Sequence, residues 1–577
     1  MRVFFVFAIT VGLLIYSTGF WAPYHLDDPQ VVKISETDVW GARVLGYTSF
    51  WLNRELLLVI GSVLPWREPF YYRLVNVFIH AMAATALFWF IREITGRWVT
   101  AAVAGALFLV HPIQTQAVTY ISQRFESQAA MFMLLSGAAY ARFRKTSSRG
   151  WVVAAILFGF AAGLTKETAV ALPVWLLFIE AIFFEPARLR KWAVYMAGLG
   201  ALIVIPAFKT FQVVGPATFG WIAWDRYFLT QGPLVTNYFE LATWPRHQHL
   251  FYDFQPVSNV SWSVLFEWLL VLGVAGAGVY LLKRDRLVGF GILSFFIFLL
   301  PVMLLPLPDL INEHRLYGAF AGVAIAVAGG VQAVNRKWAL VALGILVAAL
   351  GVKTARRNSD WNDQLKFLEI DRAAFPHDPQ ILTRLAAFYF ESGYVNKSLE
   401  LNLEARRYED RFNTYYSQTG RMLTAANLSI AYLAKGNLEA AEVEARRAVA
   451  VKPDEALAWR ALGIVQLQGK QFQRAEESFR KYADLAPSAE AWQALQIAAR
   501  RAGDSETARV AAEKLKIEED RASDEQVKHR GIPERYKGYG IFVLILAVLS
   551  GVVWAGWTVW SAAAPWLRPS KVYLRKL

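Results

Sequence analysis

Cysteine is absent from all 577 residues. Disulfides, thiolate-bound zinc and thiol nucleophiles are therefore excluded. Charge is sparse as well, with Asp, Glu, Lys and Arg making up only 18% of the chain. No phosphate-cradling glycine loop or dinucleotide-binding glycine pattern occurs, which disfavours a soluble nucleotide-sugar donor. No His-Glu-x-x-His helix or comparable ligand spacing joins the eight histidines, so a divalent metal is not expected. What fills the chain is apolar: 56% hydrophobic residues and a mean hydropathy of +0.31, too high for a soluble protein of this length. The 22 Trp and 23 Tyr suit aromatic belts at membrane interfaces. A net charge of +14 is compatible with nucleic acid, but in a multi-span chain basic loops retained on the cytoplasmic side explain it better. No nucleic-acid partner is expected.

Apolar segments predict helices near Val3–Trp21, Tyr71–Ile91, Trp98–Val110, Ala129–Ala141, Trp151–Leu164, Ala169–Phe184, Trp192–Ala207, Trp262–Leu282, Val288–Leu307, Leu316–Val334 and Trp338–Val352, with a last one near Gly540–Ala563. Val3 to Tyr24 carries no charge and no small-residue cleavage site follows it, so it reads as a retained span. Placing Arg2 in the cytoplasm makes every inner loop basic: Arg92 and Arg97; Arg142, Arg144, Lys145 and Arg149; Arg188, Arg190 and Lys191; Lys283, Arg284 and Arg286; Arg336 and Lys337; and the tail from Arg568 to Lys576. Lys209–Asp253 stays outside in this scheme, at the interface, because a span there would invert every later loop. The middle of the first outer loop, Val39–Leu64, suits a segment lying along the membrane surface.

From Gln364 onward, Ala and charged residues dominate. Ala425, Leu428, Tyr432, Gly436, Ala441 and Pro453 are matched 34 residues later by Trp459, Leu462, Gln466, Lys470, Ala475 and Pro487. That is the tetratricopeptide period. Leu382, Leu385, Tyr389, Gly393 and Ser398 begin an earlier copy, set apart by an insertion around Phe412–Gly420. Trp492, Leu495, Gly503 and Ala508 begin a later one. Stacked helix pairs bury faces that each pair alone exposes, and they form a concave groove. Arg521–Lys537, with Gly531 and Pro533, reads as a linker to the last span.

Charges on the outer face are the candidates for chemistry. Asp27 and Asp28 follow the first span and precede Pro29. A helix-terminating turn explains them without function. A general base with a tuning neighbour explains them as well, because an acceptor hydroxyl must lose a proton as it attacks an anomeric carbon. Lys166, Glu167, Arg124, Glu126, Glu313, His314 and Arg315 also sit at helix ends on this face. Local pairing and snorkelling account for them, and so does an anionic lipid phosphate whose charge grows as it leaves. His111 before Pro112 reads as a structural group. Asn76 and His80 lie one helical turn apart and are expected on one face.

Taken in order, several segments resemble the transmembrane and tetratricopeptide-repeat O-mannosyltransferase family, within the membrane glycosyltransferases that use polyprenyl-phosphate sugars. They are His25-Leu26-Asp27-Asp28, Tyr72–His80, Val110–Val118, Leu164-Thr165-Lys166-Glu167, Asn312–Tyr317 and Arg357–Trp361, followed by the repeats. The resemblance implies an all-α protein. It has a polytopic bundle of GT-C type with about eleven spans over residues 1–353 and a non-cytoplasmic repeat solenoid over 354–520. A linker (521–538), a C-terminal transmembrane helix (539–564) and a basic cytoplasmic tail (565–577) follow. It implies Asp27 as catalytic base, with Asp28 beside it, and Lys166, His314, Arg315 and Arg124 around the donor's lipid phosphate. Glu167, Glu313, Glu126, His111, Asn76 and His80 would support the pocket. No cofactor is expected. The partners implied are membrane lipids, a polyprenyl-phosphate sugar, and a protein whose Ser or Thr hydroxyls are presented by the repeat groove. Gln114 and Gln116 depart from the His and Glu that relatives often carry, which argues against a metal or second acid there and leaves the sugar open. The expected location is a bacterial inner membrane with the site facing the periplasm. The rival readings are the same chemistry on a glycolipid or surface polysaccharide, and a non-enzymatic scaffold or transporter with a docking domain.

Overall fold

A computed structural model describes residues 1–33, 43–60, 68–184, 222–246, 248–307, 309–333, 336–411 and 417–530, with scattered positions between 192 and 208. All regular structure among them is helical. Six of the described helices are long and apolar enough to cross a membrane: Arg2–Gly19, Glu68–Thr95, Trp262–Leu281, Arg286–Leu304, Glu313–Val331 and Lys337–Asp360. The pair Trp98–Val110 and Pro112–Val118, bent by 53°, makes a seventh if it is one broken span. The sequence reading of about twelve is larger for identifiable reasons. Arg124–Thr146 carries charges at both ends, Arg149–Gly163 is only 15 residues long, and Leu172–Phe183 only 12. Trp192–Ala207 is described only in part, and all of Gly540–Ala563 lies outside the described residues. So do all of Lys209–Trp221, residues 34–42 and 61–67, most of the insertion at Phe412–Gly420, and the linker and tail beyond Arg530.

The bundle is organised around Glu68–Thr95, which packs against Arg2–Tyr16, Trp98–Val110 and Arg124–Thr146. Trp175, Phe90, Phe290 and Phe298 fill its centre with tilted ring contacts. The helices Arg286–Leu304 and Leu316–Ala333 cross with their backbones almost touching. A Cβ on Gly291 would meet the Gly322 carbonyl oxygen at 2.6 Å, and one on Gly322 would meet the Gly291 oxygen and the Phe295 nitrogen at 2.5 Å. This is the close approach that small residues allow between apolar helices. Because backbone atoms cannot step aside, Gly322→Val is expected to destabilise the bundle by at least about 1–3 kcal/mol, read as a lower thermal midpoint in detergent.

One long helix was not foreseen. Trp224–Thr243 occupies the stretch assigned to the interface, with Pro233 inside it. Tyr227 is buried there and donates to the Val302 carbonyl at 2.6 Å. Its Asp225, Arg226, Gln231, Asn237 and Glu240 explain why hydropathy missed it. Val44–Ile60 is likewise a helix within the first outer loop.

The helix Arg336–Asp360 leaves the bundle and leads into a series of helix pairs: Pro379–Glu391 with Val395–Arg407, Ser417–Ala434 with Leu438–Val451, Ala456–Gln468 with Phe472–Leu485, and Ala489–Ala502 with Ser505–Arg530. Each helix packs on the next. The last runs to Arg530, so the expected linker begins as helix. Within the pairs, the turns use a left-handed residue at the repeat-equivalent position: Gly393, Gly436 and Gly503 with φ of 84°, 75° and 85°, and Lys470 with φ of 58°. A side chain there is strained by about 1–2 kcal/mol. Lys470→Gly is expected to raise stability by about 0.5–1 kcal/mol after deducting glycine's greater unfolded freedom, measured as a higher denaturation midpoint.

The stack is fastened to the bundle's end. Asn358 donates to the Ile15 carbonyl at 3.1 Å and accepts from Thr119 at 2.5 Å. The Asp371 carboxylate, fully buried, accepts the backbone N–H groups of Leu250 and Phe251 and meets His249 Nδ1 at 3.1 Å. Arg411 pairs with Asp253 at 2.5 Å.

Candidate functional site

The site is built from a break in a helix. Pro112 forces His111 out of the helical region (φ −73°, ψ 130°) and ends Trp98–Val110. The chain then bends into Thr115–Val118 and Ile121–Gln123 across the end of the bundle. Both groups of candidates hang on this crossing segment.

At one end is the aspartate turn. Leu26 takes a left-handed conformation (φ 42°), and the two side chains that follow it lie in different surroundings. Asp28 is fully buried, and its carboxylate accepts the N–H of His25 at 3.0 Å and of Ser122 at 2.8 Å. Burial pushes its carboxyl up to about 7. Arg73, also buried, donates to the carbonyls of Ala22, Pro23 and Thr119 and pins the same turn. Asp27 is exposed. Its backbone N–H donates to the Tyr120 hydroxyl at 3.2 Å, while its carboxylate makes no hydrogen bond among the described residues. Neighbours in sequence are thus a buried strut and an open carboxylate.

The raised Asp28 carboxyl makes stability pH-dependent. Folded protein holds a proton that unfolded chain releases from the ordinary 3.8 upward. Stability contributed by this group therefore falls between about pH 4 and 7 and levels off above. Asp28→Asn should flatten that part of a thermal-midpoint profile against pH.

At the other end, Gln116 Oε1 accepts the backbone N–H of His314 at 2.7 Å and lies 3.0 Å from its Nδ1. Around His314 stand three cations: Lys166, Arg315 and Arg43. Lys166 pairs with Glu126 at 2.8 Å. Arg43 grips Glu167 with two bonds of 2.6 and 3.0 Å. Burial alone would raise the Glu167 carboxyl, but Arg43 and Lys166 outweigh it and hold it below its ordinary value. Arg315 is only 8% exposed. It donates to the Leu310 carbonyl at 2.9 Å and has no carboxylate in pairing distance among the described residues. Three cations face two carboxylates in a largely buried cluster, and the unbalanced positive charge suits an anion.

The other expected residues are placed elsewhere. Arg124 has no exposure and donates to Asn76, Asn53 and the carbonyls of Ser49 and Tyr72. Its guanidinium clamps neighbouring helices through these four acceptors. Asn76 completes that clamp by donating to the Val118 carbonyl. His80 bonds to Tyr317 at 2.8 Å and to the Leu109 carbonyl at 3.0 Å. His111 accepts from Ile113 N–H at 3.3 Å and stacks on Phe320. Glu313 faces the repeat side instead of the cations, taking bonds from Gln248 (2.9 Å) and Tyr252 (2.8 Å) with Arg357 at 3.9 Å. Arg43 was missed because nothing in its neighbourhood marks one loop arginine as special. Asp371 was missed because its partners lie some 120 positions away in sequence.

Residues 57–218 match the family model described as dolichyl-phosphate-mannose-protein mannosyltransferase. The chain is similar to transmembrane O-mannosyltransferases. It is 32% identical over 190 residues to the protein O-mannosyl-transferase TMTC2 of Homo sapiens, covering 28% of this chain and 22% of that protein. It is 29% identical over 179 residues to Tmtc1 of Drosophila melanogaster, covering 28% and 20%. A longer match, to TMTC3 of Mus musculus, is 22% identical over 381 residues and covers 57% and 41%. The chain thus spans about a fifth of the length of the first two relatives.

Proposed function

We propose that this protein is an inverting glycosyltransferase that moves a sugar from a polyprenyl-phosphate donor to a Ser or Thr hydroxyl of a protein, on the non-cytoplasmic membrane face. The observation that carries the reading is the crossing segment, with an open carboxylate at Asp27 on one end and a cation-rich cluster on the other. The names of the relatives, all protein O-mannosyl-transferases, support the reaction class.

In this scheme Lys166, Arg315 and the His314 region hold the donor phosphate, with Arg43 and Glu167 fixing the cluster. The acceptor oxygen attacks the anomeric carbon from the face opposite the phosphate. The bond from carbon to phosphate oxygen breaks, its electron pair stays on the departing lipid phosphate, and the configuration inverts. The acceptor's proton passes to the Asp27 carboxylate. The phosphate leaves as an anion stabilised by the cations, so no general acid and no metal enter the scheme. Asp28, Arg73 and Tyr120 hold the base in place. The helix pairs act as a tetratricopeptide solenoid that presents the acceptor.

The test is turnover by the purified full chain, given polyprenyl-phosphate-linked sugars and a Ser/Thr peptide pool. Released lipid phosphate with matching glycopeptide is the expected result. Intact donor under all sugars and peptides would reject the reading.

A further inference from the structure

A cavity of about 170 Å³ lies where the aspartate turn meets the first helices of the repeat stack. One wall is His25 and Leu26, the residues directly before Asp27; the other carries Arg384, Ala387, Phe388 and Glu391 from the helix Pro379–Glu391. We propose that this cavity is the acceptor subsite, which grips an extended polypeptide beside the residue to be glycosylated. The inference rests on the glycosyltransferase reading above and gives its acceptor a place.

Three observations favour a polypeptide. First, the spacing 384, 387/388 and 391 puts a cation, an aromatic ring and a carboxylate on one face of one helix. That sequence of groups suits the mixed side chains of a peptide better than the repeated hydroxyls of a glycan. Second, the wall is rigid. The His25 ring is bonded to the Trp361 carbonyl at 2.8 Å, and Arg384 lies over the Phe251 ring at 4.4 Å. The Asp371 and Arg411 fastenings hold the stack to the bundle. A preformed wall of this kind lowers the ordering cost of binding. Third, Leu26 lines the cavity and adjoins Asp27, whose Cα is about 3.8 Å further along the chain. In this proposal an acceptor residue seated at the Leu26 edge of the cavity lies one position along the chain from the open carboxylate.

The test measures binding separately from turnover. Fluorescent nonapeptides of random sequence, centred on Ser or Thr, are titrated onto the full chain in nanodiscs. Phe388→Ala and Arg384→Ala should each weaken binding at least tenfold. Ala387→Trp, which fills the cavity without removing a wall contact, should do the same. Arg446→Ala, on the exposed side of a later helix, should leave binding unchanged. Equal affinity for the wild type and all three cavity variants would overturn the proposal, and so would peptide displacement by a free oligosaccharide at equal concentration. If binding follows the cavity but no donor is consumed, the subsite stands and the transferase reading fails. If donor is consumed and peptides bind without regard to the cavity, the subsite fails and the transferase reading stands.

Discussion

Asp27→Asn is expected to cut glycosyl transfer by about 100- to 10,000-fold, the usual contribution of a positioned general base, while the protein keeps its fold. The geometry separates these two effects. The Asp27 side chain is exposed, caps no helix end by a hydrogen bond and makes no other hydrogen bond among the described residues. Its backbone N–H, which meets Tyr120, survives the substitution. Asparagine matches the size of aspartate but cannot take a proton at neutral pH. The neighbouring Asp28→Asn is the contrast, because that carboxylate holds two buried N–H groups. It should lower stability together with activity, whereas Asp27→Asn should lower activity alone. Released polyprenyl phosphate reports the rate, and the thermal midpoint reports the fold. Wild-type turnover by Asp27→Asn would remove this residue from the mechanism.

That contrast also shows where sequence reasoning stops. Elements whose cause is local were legible. Trp98–Val110 begins and ends where the apolar run does, because Pro112 dictates the stop. The repeat period placed the turns at Gly393, Gly436, Lys470 and Gly503, because a left-handed residue is needed once per turn between paired helices. The Asp-Asp pair was legible as a candidate, but its division of labour was not. It depends on Ser122, 94 positions away, supplying an N–H to Asp28. The cations were legible as candidates at helix ends, yet only packing distinguishes Arg124, spent on internal acceptors, from Arg315, which meets one carbonyl. Arg43 joins the cluster through Glu167, a contact over 124 positions that no local pattern encodes. Trp224–Thr243 was missed for a third reason. Its polar residues depress hydropathy although much of one face is buried.

Replacing Lys166 should produce the second large effect, and its partner decides how to measure it. Lys166→Met alone leaves Glu126, only 5% exposed, without the ammonium group 2.8 Å away. Breaking such a pair from one side costs about 3–5 kcal/mol, so loss of activity in the single variant would confound misfolding with chemistry. The double variant Lys166→Met with Glu126→Gln removes both charges and keeps similar volumes. Thr168, 3.4 Å from Glu126, can still donate to the amide oxygen. This variant should fold with a thermal midpoint near the wild type. Its transfer rate should still fall by about 100- to 1,000-fold, because a charge-stabilising donor contributes about 2.7–4 kcal/mol to a step that develops negative charge. Glu126→Gln alone should act in the opposite sense. It frees the ammonium from its internal carboxylate and should tighten binding of the donor phosphate. Double-variant turnover at the wild-type rate would show that Lys166 only neutralises Glu126, and the phosphate would then have to be held by Arg315 and Arg43 without it.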